Sequence, residues 1–84
     1  MNNKKVVIYT TPSCVYCRAA KALFHEKGIK YEEYNVGLDA TRREEMIDKS
    51  GQMGVPVITI ADEDNEEQVI VGFDKATLTA ALGL

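Results

Sequence analysis

Two β-branched, nearly continuous apolar runs, Lys5–Thr10 and residues 55–60, constrain this chain most, because each is too short for a globular helix and reads as a buried strand. The segments between them change period. After the turn Thr10-Thr11-Pro12-Ser13, the residues Cys17, Ala20, Leu23 and Phe24 recur at helical spacing as far as Gly28, with Ser13 as the expected N-cap. Residues 29–36 return to a strand pattern through Tyr31, Tyr34 and Val36, and Glu32 and Glu33 point to a sheet edge. A second helix is capped by Asp39, or by Thr41 with Glu44 as capping-box partner; it carries Met46 and Ile47 inward and stops at Gly51. Residues 62–67 form an acidic, solvated hairpin tip leading into a short strand at 68–71, and Asp74 caps a last helix with Leu78, Ala81 and Leu82 on its apolar side. The expected order is β-α-β-α-β-β-α, an α/β chain with a four-stranded mixed sheet flanked by three helices. Its first two strands run parallel through a right-handed crossover, and its last two form an antiparallel hairpin.

The 84 residues, 45% of them hydrophobic, are enough for one small domain, 1–84, near the lower end of what a single core can hold together. Two cysteines three positions apart are no framework for a secreted mini-protein, which needs bridges between distant segments, so a reducing compartment, the cytoplasm, is expected. Val6-Val7-Ile8-Tyr9 is too short for a signal-peptide core or a membrane span, and no membrane association is expected. A net charge of −3 without a Lys/Arg stripe gives no electrostatic footprint for nucleic acid.

Both cysteines lie in Cys14-Val15-Tyr16-Cys17, between the first strand and the first helix. Residues one helical turn apart have Cα atoms within the roughly 4.4–6.8 Å that a disulfide tolerates, so this pair can be oxidised and reduced without moving the fold. The loop closed by such a bond is too short to stabilise the chain much, which suits reversible exchange. Cys14 at the helix start faces unpaired N–H groups and the positive end of the helix dipole, and Arg18 and Lys21 are expected to add positive charge that favours its thiolate. Cys14 is thus the expected nucleophile and Cys17, one turn inside, the resolving thiol. If the nucleophile's pKa fell from ~8.5 to ~6.5, thiolate at pH 7 would rise roughly 25-fold while intrinsic nucleophilicity fell about 8-fold. The larger benefit is that a lower-pKa thiol leaves faster from a mixed disulfide. A tetrahedral zinc site needs four ligands, which Cys14, Cys17 and the lone His25 do not supply.

Along essentially its whole length the chain resembles glutaredoxins of the thioredoxin fold. The matching pieces are Ile8-Tyr9-Thr10, Pro12-Ser13-Cys14-Val15-Tyr16-Cys17-Arg18, Ala20-Lys21-Ala22-Leu23, Arg43-Glu44-Glu45-Met46, Gly54-Val55-Pro56-Val57 and Val71-Gly72-Phe73-Asp74. The resemblance implies sheet order 2-1-3-4 with the third strand antiparallel to the first, which gathers Cys14, Val55-Pro56 and Gly72-Phe73-Asp74 on one edge of the sheet. It also implies a cis Pro56 against the active-site cysteine, a Val55 backbone that pairs with an incoming peptide-like substrate, and Tyr16 as one wall of the groove. A glutathione-linked oxidoreductase follows, a monomer with no bound cofactor, glutathione as cosubstrate, and protein disulfides or glutathione mixed disulfides as targets. Gly72, Phe73 and Asp74 would hold the tripeptide's γ-glutamyl end.

Two departures from the glutaredoxin pattern favour a second resemblance. The lysine that many glutaredoxins carry shortly before the first Cys is replaced by Thr11 and Pro12, and Gly-Gly-x-Asp-Asp becomes Val71-Gly72-Phe73-Asp74-Lys75. Cys-Val-x-Cys and Gly-Phe are similar to the NrdH-type redoxins, which thioredoxin reductase recharges and which feed ribonucleotide reductase. An alternative of another class is carriage of a [2Fe–2S] cluster between two protomers, as in some glutaredoxins.

Overall fold

Strand β1 (Lys5–Thr10) is the element on which the others assemble, because its alternate side chains enter two separate cores. The computed structural model describes residues 4–64 and 66–84. It continues through α1 (Val15–Glu26), β2 (Glu32–Asn35), α2 (Ala40–Ser50), β3 (Val57–Ala61), β4 (Glu67–Val71) and α3 (Lys75–Ala81). The sheet order is β2-β1-β3-β4, with β1 and β2 parallel and the β1–β3 and β3–β4 pairs antiparallel. The thioredoxin-like order expected from the resemblance is therefore the observed one.

Val6 and Ile8 of β1 join Ile58 and Ile60 of β3 under α1 and α3, which contribute Ala20, Leu23, Phe24 and Leu78, with Leu82 following at the C-cap of α3. Val7, Tyr9 and Val57 face the other way, against Met46 of α2. Full burial of side chains such as Phe24, Met46 and Leu78 contributes roughly 1.5–3 kcal/mol each, which is how so small a chain holds three layers.

Helix ends follow the sequence signals, with one shift. The N-cap of α1 is Cys14 rather than Ser13, since the helix begins one residue later than expected and a sulfur stands where a hydroxyl was predicted. At its other end Gly28 (φ 66°) lets its own N–H reach His25 O and the N–H of Ile29 reach Phe24 O at 2.8 Å. That closing motif absorbs Ile29, so β2 starts at Glu32 and not at residue 29; Ile29 and Tyr31 pack on the core instead. Of the two candidate caps for α2, Asp39 is the cap, accepting from Arg42 N–H at 3.0 Å. The hairpin tip is organised by Asp62, whose Oδ1 accepts from the N–H groups of Asp64 and Glu66, and Glu67 belongs to β4 rather than to the turn. Asn65 of that expected turn lies outside the described residues, as do residues 1–3. No described helix is long and apolar enough to cross a membrane.

On the α2 face the buried Tyr9 hydroxyl donates to Glu45 Oε2 at 2.5 Å. Arg42 bonds the same carboxylate at 3.1 Å and lies 3.9 Å from the centre of the Tyr34 ring. Burial first, and then the Glu45 hydrogen bond, push the Tyr9 phenol well above its usual range, so it stays a donor. The Tyr9 bond, followed by Arg42, holds Glu45 below the usual carboxylate range. Glu45 therefore stabilises the fold above the ordinary carboxyl pKa, and that contribution is lost as pH falls through its lowered value. Tyr9→Phe is expected to cost about 1–2 kcal/mol at pH 7, and the gap to wild type should narrow towards pH 4. Urea denaturation at both pH values measures this; a gap that widens in acid contradicts it.

Candidate exchange site

Cys14 and Cys17 meet at the start of α1 as a disulfide, with Cα atoms 5.2 Å apart. The arrangement is local in origin. Cys14 N–H bonds Thr11 O at 3.2 Å, closing the turn after β1, and the extended Cys14 backbone (φ −83°, ψ 110°) then enters the helix. Its sulfur accepts from the N–H of Cys17 at 3.1 Å, as a capping oxygen would. In the reduced protein that N–H and the helix dipole stabilise negative charge on Cys14. Cys14 is half-buried, whereas Cys17 is only 1% exposed. Of the two sulfur-bearing residues, Cys14 is therefore the one more open to solvent.

The two flanking cations behave differently from each other. Arg18 donates to Pro12 O at 3.2 Å, which pins the loop before Cys14 and keeps a guanidinium beside it. Lys21, expected to add to the field on the thiolate, is instead paired with Glu33 Oε2 at 2.9 Å. That carboxylate also accepts from Thr10 Oγ1 at 2.7 Å, and the Lys21 bond, then the Thr10 bond, hold its pKa down. Lys21 thus ties α1 to β2, where the Glu33 carboxylate offsets part of its field.

Register brings the remaining residues to the same edge. Tyr9 of β1 pairs with Val57 of β3, and Val57 pairs with Val71 of β4. The end of β1, the start of β3 and the end of β4 therefore lie level with one another. The Val55–Pro56 peptide is cis, so β3 begins at Val57 rather than at residue 55 as the apolar run suggested. Pro56 is buried, and its carbonyl accepts from Gly72 N–H at 2.8 Å. Val55 makes no backbone hydrogen bond to any described residue. Gly72 has φ 83°, a conformation that costs a side chain roughly 1–2 kcal/mol. Phe73 is half-buried against the α1/α3 core.

Asp74 caps α3, accepting from Ala76 N–H at 3.1 Å, Thr77 N–H at 3.3 Å and Thr77 Oγ1 at 3.0 Å. The bonds from Thr77 and Ala76 lower its pKa, so it is a carboxylate throughout the neutral range. Tyr16 stands 65% exposed beside the sulfur pair. Val15 at the start of α1, Leu38 in the loop after β2 and Met53 in the loop before β3 are exposed apolar side chains. Only Val15 is within the cysteine motif, and no sequence pattern marks the other two.

Some positions were not readable as site residues. Arg43 Nη1 donates to Val36 O at 3.2 Å, and Val36 N–H to Thr10 O at 2.9 Å, fixing the loop after β2 against the end of β1. Gln52 folds back on Gly54, next to Val55. Both contacts link a side chain to a backbone group, and composition gives no sign of them. His25, two turns along α1, shares a hydrogen bond with Tyr31 and takes no part here. A cavity of about 160 Å³ between the sheet and α2 is lined by Tyr9, Arg42, Glu45 and Lys49 and contains no cysteine.

The Glutaredoxin family model matches residues 6–64. An uncharacterised glutaredoxin-like 8.6 kDa protein of the rubredoxin operon of Clostridium pasteurianum is 41% identical over 73 residues, covering 87% of this chain and 91% of that one. Glutaredoxin 3 of Escherichia coli is 47% identical over 55 residues, 66% of each chain. Among solved structures, the glutaredoxin-like protein NrdH-redoxin from Escherichia coli, described as having a thioredoxin-like activity profile, superposes with a TM-score of 0.73 at 26% identity, covering 90% of this chain and 92% of that one. Replacing Gly72 with Ala is expected to cost about 1 kcal/mol in a denaturant titration, because of its left-handed backbone. An unchanged midpoint would show that the turn after β4 readily adopts another conformation.

Proposed function

The chain belongs to the glutaredoxin family and is a thiol–disulfide oxidoreductase, and from that premise we propose that it reduces protein disulfides and glutathione mixed disulfides with electrons taken from glutathione. The observation that carries this reading is the half-buried Cys14 above a buried Cys17, on the same sheet edge as the Val55 backbone, which bonds no described residue.

The Cys14 thiolate attacks one target sulfur, the target S–S bond breaks, and the released thiolate takes up a proton. Cys17 then attacks Cys14 Sγ, freeing the second target thiol and closing the Cys14–Cys17 disulfide, so two electrons have passed to the target. Recharging reverses the order with glutathione. One glutathione thiolate opens the disulfide and forms a mixed disulfide on Cys14, and a second attacks the glutathione sulfur, leaving as glutathione disulfide. A peptide-like substrate pairs its backbone with Val55, while Gly72 and Asp74 receive the γ-glutamyl end. Asp74's capping bonds use three of its roughly four acceptor positions, which leaves room for an amino group. A dithiol that must be reduced in order to act suits a reducing compartment such as the cytoplasm.

A second reading has a specific observation behind it. Thr11 and Pro12 offer no cation, and Lys21 is bound to Glu33, so the glycine carboxylate of glutathione meets little fixed positive charge apart from Arg18. With Gly72-Phe73 and the likeness to NrdH-redoxin, this favours recharging by thioredoxin reductase and delivery to ribonucleotide reductase.

The two readings separate in one recharging assay. The oxidised protein is offered glutathione with glutathione reductase, or thioredoxin reductase alone, and NADPH loss is followed in each case. Fast turnover with glutathione is expected; turnover only with thioredoxin reductase would assign the second reading. Cys14→Ser should abolish exchange, and Cys17→Ser should abolish protein disulfide reduction while sparing deglutathionylation, which needs one thiol. Full protein disulfide activity in Cys17→Ser would overturn the assigned roles.

A further inference from the structure

The loop between α2 and β3 is held by the side chains of Gln52 and Ser50. Gln52 Oε1 accepts from Gly54 N–H at 2.6 Å, and Gln52 Nε2 donates to Gly54 O at 2.9 Å. Ser50 steadies the same residue from the helix end: its hydroxyl lies 2.9 Å from Gln52 O and accepts from Gln52 N–H at 3.3 Å. A single carboxamide can take both the N–H and the C=O of one residue only if the two point the same way, as they do in extended chain. Across the trans Gly54–Val55 peptide the N–H of the next residue then points away from that carbonyl, and so away from the carboxamide. That next residue is Val55, whose N–H and C=O bond no described residue.

We infer that Gln52 is a positioning residue, whose clamp on Gly54 holds the Val55 backbone open towards an incoming peptide. The inference rests on the exchange reading above and refines it, since it names the side chain that fixes the substrate-reading segment. It also explains the glycine. A Cβ on Gly54 would stand 2.8 Å from Gln52 Oε1, so any side chain there displaces the carboxamide. Gln52 and Gly54 thus act as one device, with Gln52 supplying the bonds and Gly54 the space.

The test uses the full chain and two substrates, with dithiothreitol as reductant so that the natural electron source does not matter. Insulin presents a peptide backbone beside its disulfide; bis(2-hydroxyethyl) disulfide has none. Gln52→Ala is expected to raise KM for insulin about threefold to tenfold with kcat unchanged, and to leave bis(2-hydroxyethyl) disulfide turnover unaltered. Gly54→Ala should do the same, and the double variant should be no worse than the more affected single one, because both remove the same clamp. Gln52→Glu keeps the acceptor and loses the donor, so its KM should lie between wild type and Gln52→Ala. An unchanged insulin KM in Gln52→Ala, an equal loss on both substrates, or additive losses in the double variant would overturn the inference. Failure of the wild-type chain to reduce either substrate would instead overturn the exchange reading.

Discussion

The antiparallel pairing of β1 with β3 is the constraint on which the site depends. The Tyr9–Val57 pair closes a loop of roughly fifty residues, an ordering cost that grows only slowly with loop length. Once it is closed, the turn that carries Cys14 and the Val55–Pro56 segment must lie side by side. The β3–β4 hairpin then extends the same register to Gly72, whose N–H bonds Pro56 O. Both cores support this pairing, since Val6 and Ile8 are buried on one face and Val7 and Tyr9 on the other. A register slip of one residue would exchange the two sets and leave α1 and α2 against the wrong side chains.

The element order was legible because each boundary carries local chemistry. Gly28 and Gly51 have the positive φ that ends a helix, and Asp39 and Asp74 are the caps that their positions implied. The errors also have physical causes. A thiol is not counted among capping groups, so Ser13 looked the better cap than Cys14. Ile29 is apolar like a strand residue but is bound into the stop of α1, and Val55 looks like strand until the cis bond turns the chain. Long-range polar pairs leave no trace in a linear pattern. Tyr9 with Glu45 and Lys21 with Glu33 each join segments whose proximity only the fold creates. Cys14 and Cys17 were readable because the chemistry needs them close in sequence; the partners of Lys21 were not.

The charges around the sulfur pair are largely bound to the protein itself. Arg18 holds Pro12 O, Lys21 holds Glu33, Arg43 holds Val36 O, and the carboxylates of Asp39 and Asp74 cap helices. Only Lys21–Glu33 among these is an ion pair, a surface contact worth about 0–1 kcal/mol in which the two charges partly offset each other; the others fix loops and helix ends. The electrostatics at Cys14 thus combine backbone dipoles, the Cys17 N–H foremost, with the guanidinium of Arg18. Backbone dipoles do not titrate, so their part of the sulfur's environment is the same at every pH.

Because the bond between Cys14 and Cys17 lies within one turn, with Cα atoms already 5.2 Å apart, the oxidised and reduced molecules have nearly the same outline. Cys17 is hidden in the disulfide form. What distinguishes a charged carrier from a spent one is then confined to a single half-buried sulfur atom. Closing or opening such a bond calls for no hinge or lid movement for a partner to sense. The partner has to make its decision by touching Cys14, so recognition and reaction become the same event.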